Sequence, residues 1–493
     1  NCIEEPKYHQ FTLENGLATG NCYALKAEED SREEWGALAN RATSALMSGG
    51  GIGVDYSIIR PSGRSLSRTG GIASGPLPLM SIVNEIGRNV MQGGSRRSAI
   101  WAGLNWQHED IQSFIQAKNW SRLIRDIKAE DFNFPAPLDM SNISVQFDTD
   151  FANQIYCGPE IHLDEDRIPS IFYDVVRQLC KTGEPGLSFN FWHQQEEVCR
   201  NACTEFISDR DSDVCNLGSI NLGNITSIEE LKAVVELASA FLVCGTVRAD
   251  LPYEKVRRVR EDARKIGLGL MGVHEWLLQR NKPYGVDNEL KHWLEVYRTV
   301  SEDASTEYSK RLFISMPVRF RAVAPAGTIG ILASTSTGIE PLFAVAYKRR
   351  YLSAGTRWKF QYVIDATAER IINEVGKKPE DIETAYKLSQ SLEGIEQRVR
   401  MQYEIQKYVD MGISSTINLS EWGSGNNNDE RCTDIARIFA KYAHGLRGVT
   451  CYPNGGRGGQ PLTEVSYGEA KKHHGIIFDE EEIKGCSGGV CGI

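Results

Sequence analysis

The sequence predicts an α/β fold. Short apolar β segments alternate with longer amphipathic helices, glycine clusters punctuate them, and no repeat, low-complexity tract or proline-rich linker divides the chain. At 493 residues the chain exceeds most single domains, a length that α/β barrels reach as one unit. The net charge of -10 gives no electrostatic basis for nucleic-acid binding. No apolar run reaches the length of a membrane span, so no membrane partner is expected.

In chain order, residues 30–48 read as a helix with Trp35, Leu38, Ala42 and Leu46 on one face, stopped by Gly49, Gly50 and Gly51. A strand is expected over 52–59, then a loop rich in Gly, Ser and Arg over 61–75. Residues 77–92 form a second helix, ended by Gly93 and Gly94. Two amphipathic helices so close together suit half of a four-helix dimer interface, or simply pack on their own core. Strands at 141–145 and 323–324 follow, among helices near 168–181, 228–243, 254–280, 289–312 and 358–375. Glycine and charge enrichment after about Gly455 marks a C-terminal tail. The division expected is a short N-terminal segment 1–21, a catalytic domain 22–455 and a flexible tail 456–493.

Twelve cysteines are too sparse and irregular for a small stapled extracellular fold, which predicts a reducing, cytoplasmic setting. Cys180 and Cys244 lie in apolar helical stretches and read as core residues. Asn201, Cys203 and Glu205 alternate, so on an extended segment all three face one side. A neighbouring carboxylate raises a thiol's pKa, which argues against a thiolate nucleophile of the protease kind. A thiol there suits one-electron chemistry as a thiyl radical, with the carboxylate as general base and the amide as hydroxyl ligand. On spacing alone, an incidental loop cysteine is the plainer reading. Cys486 and Cys491 stand in a Gly-rich ending as a mobile dithiol. A zinc site using His473 and His474 is the rival, though it lacks compact finger spacing, and no metal is expected.

Several blocks together carry a family resemblance. They are Thr182–Asn190, Asn201–Glu205, Arg264–Gly272, Ala324–Ile329 with Ser336–Pro341 and Tyr347–Arg350, and Ile413–Asn418. In this order they resemble the catalytic subunit of ribonucleotide reductases, over nearly the whole chain. The resemblance implies a ten-stranded α/β barrel, built of two five-stranded parallel halves set antiparallel, with a central finger loop. It implies reduction of ribonucleotides to 2′-deoxyribonucleotides for DNA precursor synthesis. Cys203 would be the thiyl radical, Glu205 the acceptor of the 3′-hydroxyl proton, and Asn201 a ligand of the substrate hydroxyls. Cys215 with Cys22 would be the reducing pair, Cys2 being the rival for the second place. Cys486 and Cys491 would shuttle electrons from a thioredoxin or glutaredoxin-type reductant.

The turn Pro325, Ala326, Gly327, Thr328, Ile329 resembles the substrate-phosphate site, and backbone N–H groups at a helix start suit that task. Ser74 is expected as a further substrate contact. Gly49–Gly53 with Asp55, the loop with Arg68, and Arg96 with Arg97 resemble the dimer region that binds deoxynucleotide or ATP effectors. With only 21 residues before Cys22, no ATP cone is expected. For the radical source, the ending Gly485–Ile493 resembles enzymes served by a separate ferritin-like subunit, with Tyr452 in the transfer path and nothing tightly bound in this chain. That is the expected source. The short interval from Cys203 to Cys215 and the Ala73–Pro76 loop resemble the alternative, an adenosylcobalamin enzyme. A thiol–disulfide oxidoreductase or a non-enzymatic nucleotide-binding regulator are the remote rivals.

Overall fold

The computed structural model describes residues 11–12, 18–66, 70–92, 96–131, 134–157, 161–353, 357–456 and 462–479. Nine strands form the path of one continuous ten-stranded sheet, the tenth being Phe11–Thr12, paired off that path against Ala18 and Thr19. They are β1 (Ala18–Lys26), β2 (Gly51–Asp55), β3 (Ile100–Asn105), β4 (Ser141–Asp148), β5 (Gly186–Asn190), β6 (Asp213–Asn221), β7 (Ile266–Met271), β8 (Thr416–Leu419) and β9 (Gly448–Pro453). Their order is β7-β6-β1-β2-β3-β4-β5-β9-β8. β1 to β5 are mutually parallel, as are β6 with β7 and β8 with β9. The two halves meet antiparallel at β1/β6 and β5/β9.

The short extended segment 321–323 closes the ring. Arg321 bridges Leu268 of β7, and Val323 bridges Ile413 just before β8, both in parallel. Val323 N donates to Gly412 O at 3.1 Å and Ser414 N to Val323 O at 2.9 Å. The expected barrel, five parallel strands against five, is therefore the architecture of this chain.

Strands covered on both faces are shut off from solvent, and every residue of β6 and β7 is buried, the polar Asp213, Asn216, Ser219 and Asn221 of β6 included. Helices clothe the outside: α1 (Arg32–Met47), α2 (Pro76–Asn89), α3 (Ser170–Thr182), α4 (Ile228–Arg248), α5 (Asn288–Arg311) and α6 (Asp429–Tyr442). α1 starts where Ser31 Oγ accepts from Glu34 N at 3.1 Å, a side-chain N-cap. A third, smaller cluster fills the barrel interior: Ala24, Cys199, Phe206, Ile207, Cys215, Leu217, Ala322 and Met411. Among the described residues no helix is long and apolar enough to cross a membrane.

Three expected elements differ. The helix expected over 254–280 is a helix (Glu254–Ala263), the strand β7 and a short helix (Val273–Gln279). Glycine at 267 and 269 permits close packing there: a Cβ at 269 would lie 2.5 Å from the Ala322 carbonyl oxygen. The helix expected over 358–375 begins instead as strand Arg357–Ile364, paired with Ala346–Ser353 in a long hairpin. Residues 462–479, expected within a flexible tail, extend that hairpin on both edges through Leu462–Glu464 and Ile477–Asp479.

Candidate active site

A short hairpin enters the barrel between β5 and β6. Cys199–Arg200 pairs antiparallel with Ile207–Ser208, and residues 201–206 make its tip. Thr204 takes a left-handed backbone, φ 68°, to turn the chain. Glycines on two opposing walls make room. A Cβ on Gly53 of β2 would lie 2.0 Å from the Arg200 carbonyl oxygen, and one on Gly412 would lie 2.6 Å from that of Thr204. Gly412 N also donates to Glu205 O at 2.8 Å, tying the tip to the wall beside β8.

The tip brings together the expected trio. Asn201 Nδ2 donates to Glu205 Oε1 at 2.8 Å, and Asn201 Oδ1 accepts from Phe206 N at 3.1 Å, which fixes the amide's orientation. Asn201 and Glu205 are buried, whereas Cys203 between them is half-exposed. Glu205 is 1% exposed, and its second oxygen, Oε2, is buried without a hydrogen-bond partner. Burial pushes its carboxyl up to about 7, with the Asn201 hydrogen bond opposing. A carboxyl near 7 is poised to take a proton at neutral pH, and its idle oxygen is the atom that can do so.

The expected reducing pair lies beside the hairpin. Cys22 of β1 and Cys215 of β6 are direct partners across the antiparallel seam. Directly opposed residues of such a pair stand about 4.5–5.5 Å apart at Cα, within the span a disulfide bridges. Cys215 is buried and desolvation drives its thiol well above the ordinary value, so it is held protonated. Gly267 of β7 provides its space: a Cβ there would come within 3.1 Å of Cys215 Sγ.

The turn expected to hold the substrate phosphate, residues 325–329, follows the stave 321–323. Ala326 adopts φ 56°, and the helix Gly327–Leu332 starts after it. Pro325, Gly327 and Thr328 are exposed, Ile329 is half-buried, and nothing lies within 4 Å of a Cβ built on Gly327. Gly412, bonded to both Val323 and Glu205, places this turn near the hairpin tip. Ser74 is exposed on its loop, and Tyr452 is half-buried on β9 opposite Asn418.

Of the expected effector residues, Asp55 alone has a described side chain. Asp55 ends β2 and is 6% exposed; Ser57 Oγ and Gln146 Nε2 each donate to its Oδ1 at 2.6 Å. Gly51 and Gly53 belong to a barrel strand that faces the hairpin. Arg68 lies outside the described residues. Arg96 and Arg97 form a two-residue strand against Met91–Gln92, and their side chains lie outside what is described. Cys2, Cys486 and Cys491 are also outside. Among the described residues no cluster of His, Cys, Asp and Glu could hold a metal ion.

Sequence reasoning missed the buried chain behind the hairpin. Gln146 Oε1 accepts from Asn190 Nδ2 at 3.0 Å, and Asn190 Oδ1 accepts from Arg200 Nη2 at 2.7 Å, linking Asp55 to the hairpin's base. Its only trace in the sequence is a run of polar residues at strand ends.

A family model described as "Ribonucleotide reductase, barrel domain" matches residues 20–136, 145–312 and 318–452. A Thermoplasma acidophilum protein named vitamin B12-dependent ribonucleoside-diphosphate reductase is 27% identical, covering 92% of this chain and 63% of its own length. One of the same name from Mycobacterium tuberculosis (strain CDC 1551 / Oshkosh) is 27% identical, over 97% of this chain and 73% of its own. The chain thus spans less than two thirds of the first relative and about three quarters of the second. The solved Actinobacillus ureae class Id ribonucleotide reductase alpha subunit superposes with a TM-score of 0.62 at 16% identity, over 87% of this chain and 82% of that one, a likeness of fold. The relatives correct one expectation: a separate ferritin-like subunit as radical source does not stand against matches named for vitamin B12 or adenosylcobalamin dependence. The features of the ending that suggested it lie outside the residues on which the family match rests.

Proposed function

Because the chain belongs to the ribonucleotide reductase barrel-domain family, we propose that it reduces ribonucleotides to 2′-deoxyribonucleotides by a thiyl-radical route with adenosylcobalamin as radical source. The observation that carries this is the placement of Cys22 directly opposite Cys215 beside a hairpin whose buried Glu205 keeps one oxygen idle. Bound adenosylcobalamin would supply a carbon-centred radical. The residue that would meet it is Cys203, and the fit rests on that thiol being half-exposed between two buried neighbours.

This chain's residues then divide the work. Cys203 takes the substrate's 3′-hydrogen as a thiyl radical and later returns it. Glu205 Oε2 accepts the 3′-hydroxyl proton while Asn201 holds the hydroxyl. One thiol of the Cys22/Cys215 pair gives its proton to the departing 2′-hydroxyl, which leaves as water, and the two sulfurs end joined. Cys486 and Cys491 restore them by exchange, drawing on an external dithiol protein. The turn 325–329 and Ser74 hold the substrate. α1 and α2 form the dimer face, with Ile82 of α2 exposed on it, and the neighbouring loops take the effector.

The test is deoxynucleotide formation by the purified chain with dithiothreitol, an effector and a ribonucleoside diphosphate, with and without adenosylcobalamin. Product only with the cofactor is expected. Intact nucleotide binding with no product in either tube would overturn the cofactor assignment, and product independent of Cys203 would overturn the reductase reading.

A further inference from the structure

The turn at 325–329 runs into a helix, Gly327–Leu332, that its own side chains do not hold down. Ile331 and Leu332 are 71% and 70% exposed, and Gly330 is the helix's one buried residue. At Gly330 the helix rests on the returning chain. Thr335 N donates to Gly330 O at 2.9 Å, and a Cβ on Gly330 would lie 3.1 Å from Thr337 Cγ2. Where the turn stands is therefore decided by whatever fixes residues 334–337.

A buried network fixes them. Glu275, on the helix Val273–Gln279 that follows β7, is 1% exposed. Its Oε2 accepts from Thr335 Oγ1 at 2.5 Å, and its backbone N donates to Ser336 Oγ at 3.3 Å. Asn221 Oδ1, at the end of β6, lies 3.1 Å from the same Thr335 hydroxyl. Gly272 N, just past β7, donates to Ser336 O at 2.7 Å. From the other side comes Arg370, on the helix Ala366–Arg370 where the chain leaves the long hairpin. It pairs with Glu275 Oε1, and its Nη2 donates to Ser334 O at 3.0 Å. The fit is close: a Cβ on Gly223 would lie 2.7 Å from the Glu275 carboxylate, and one on Gly272 2.7 Å from Thr335 Oγ1. A carboxylate buried this deeply pays a desolvation cost that its partners do little more than offset, so its presence is better explained by the geometry it fixes than by stability. Glu275, Thr335 and Arg370 all lie outside the sequence blocks that carry the family resemblance.

We propose that Glu275 and Thr335 are positioning residues for the substrate's phosphate, clamping the return leg of the turn to the ends of β6 and β7 and to the exit of the hairpin. The role rests on the assignment of residues 325–329 to the substrate. Both side chains are buried behind the turn and act through it. A turn shifted by about 1 Å would lose much of its grip on a phosphate while leaving the rest of the ligand's contacts in place.

The full-length chain and its variants are titrated by calorimetry with cytidine diphosphate and with cytidine, and a thermal midpoint is recorded for each protein. The wild type should bind the diphosphate more tightly. Thr335→Val keeps the volume and removes the hydroxyl; Glu275→Gln keeps the shape and removes the charge. Each should weaken diphosphate binding by about tenfold and leave cytidine within about twofold of the wild type. Thr335→Ser should restore the wild-type ratio, and the double variant should lose no more than the worse single, because both act through one link. If one variant fails to fold, the other carries the comparison. A wild type that binds both ligands equally would overturn the substrate assignment of the turn, and the clamp with it. A wild type that favours the diphosphate, beside variants that favour it just as strongly, would overturn the clamp alone. Equal losses for diphosphate and cytidine would mean a general loosening of the fold, and would overturn it too.

Discussion

Replacing Glu205 by glutamine removes one titratable proton and keeps the shape of the hairpin tip. The glutamine Oε1 can still accept from Asn201 Nδ2, as the carboxylate does at 2.8 Å. In the wild type, burial moves this carboxyl from 4.5 up to about 7. A folded value above the unfolded one means that the fold favours the protonated acid. The stability Glu205 allows is therefore complete below pH about 4.5 and is lost as the pH rises through about 7. The gap between the two values corresponds to about 3 kcal/mol, at about 1.4 kcal/mol for each tenfold change in proton affinity. Glutamine does not titrate, so it escapes that loss. It carries its own cost, an amide donor placed where Oε2 has no partner, but that cost of about 1–3 kcal/mol does not vary with pH. Urea unfolding of both proteins at pH 5 and pH 8.5 separates the two terms. Relative to the wild type, Glu205→Gln should gain about 2.5 kcal/mol on moving from the lower to the higher pH, the part of the gap that lies above pH 5. The same difference at both pH values would refute the reasoning, because Glu205 would then titrate as an exposed carboxylate. Activity should fall by about 10²–10⁴-fold throughout, the usual span for a lost general base.

Cys203→Ala should abolish deoxynucleotide formation while equilibrium nucleotide binding persists, and retained product would sink the radical role. Gly53→Ala puts a Cβ 2.0 Å from the Arg200 carbonyl oxygen, backbone against backbone, so the hairpin must move. A loss of about 1–3 kcal/mol in denaturant unfolding, with turnover largely gone, is expected, and an unchanged midpoint would show that the hairpin does not rest on β2. Tyr452→Phe should leave cofactor-dependent turnover within a few-fold of wild type; complete loss would return the phenol to the radical path. The Cys486→Ser/Cys491→Ser double variant should stall with thioredoxin yet turn over with dithiothreitol, and equal loss with both reductants would remove the shuttle.

The helices were legible because their apolar residues recur at helical spacing and their ends carry side-chain or glycine signals; α1 and α5 start within two residues of expectation. β7 was not, because a strand buried on both faces shows no alternation, and Ile266–Met271 reads as the continuation of the amphipathic helix before it. The hairpin strand at 357–364 was hidden for a different reason: its charged and aromatic residues fall at a spacing that a helix also tolerates. At the site, the trio at 201–205 is compact in sequence and could be named from it. The walls that hold it could not. Gly53 and Gly412 matter only because each faces the same hairpin from far along the chain, and one-dimensional spacing carries no such information.

The hairpin sits inside a ring of strands whose last stave, β9, is also nearly the last part of the barrel in the chain. A segment enclosed by a ring must be in place before the ring shuts, so its final geometry waits on β9 docking against β5. During synthesis, a chain grown only through β7 holds every residue of the tip but lacks Gly412 and the closing seam. The contacts that complete the centre are the most distant in sequence and the slowest to form. A nascent or truncated chain therefore carries Cys203 without its enclosure, and the setting that the proposed radical route needs exists only once the wall around it is whole.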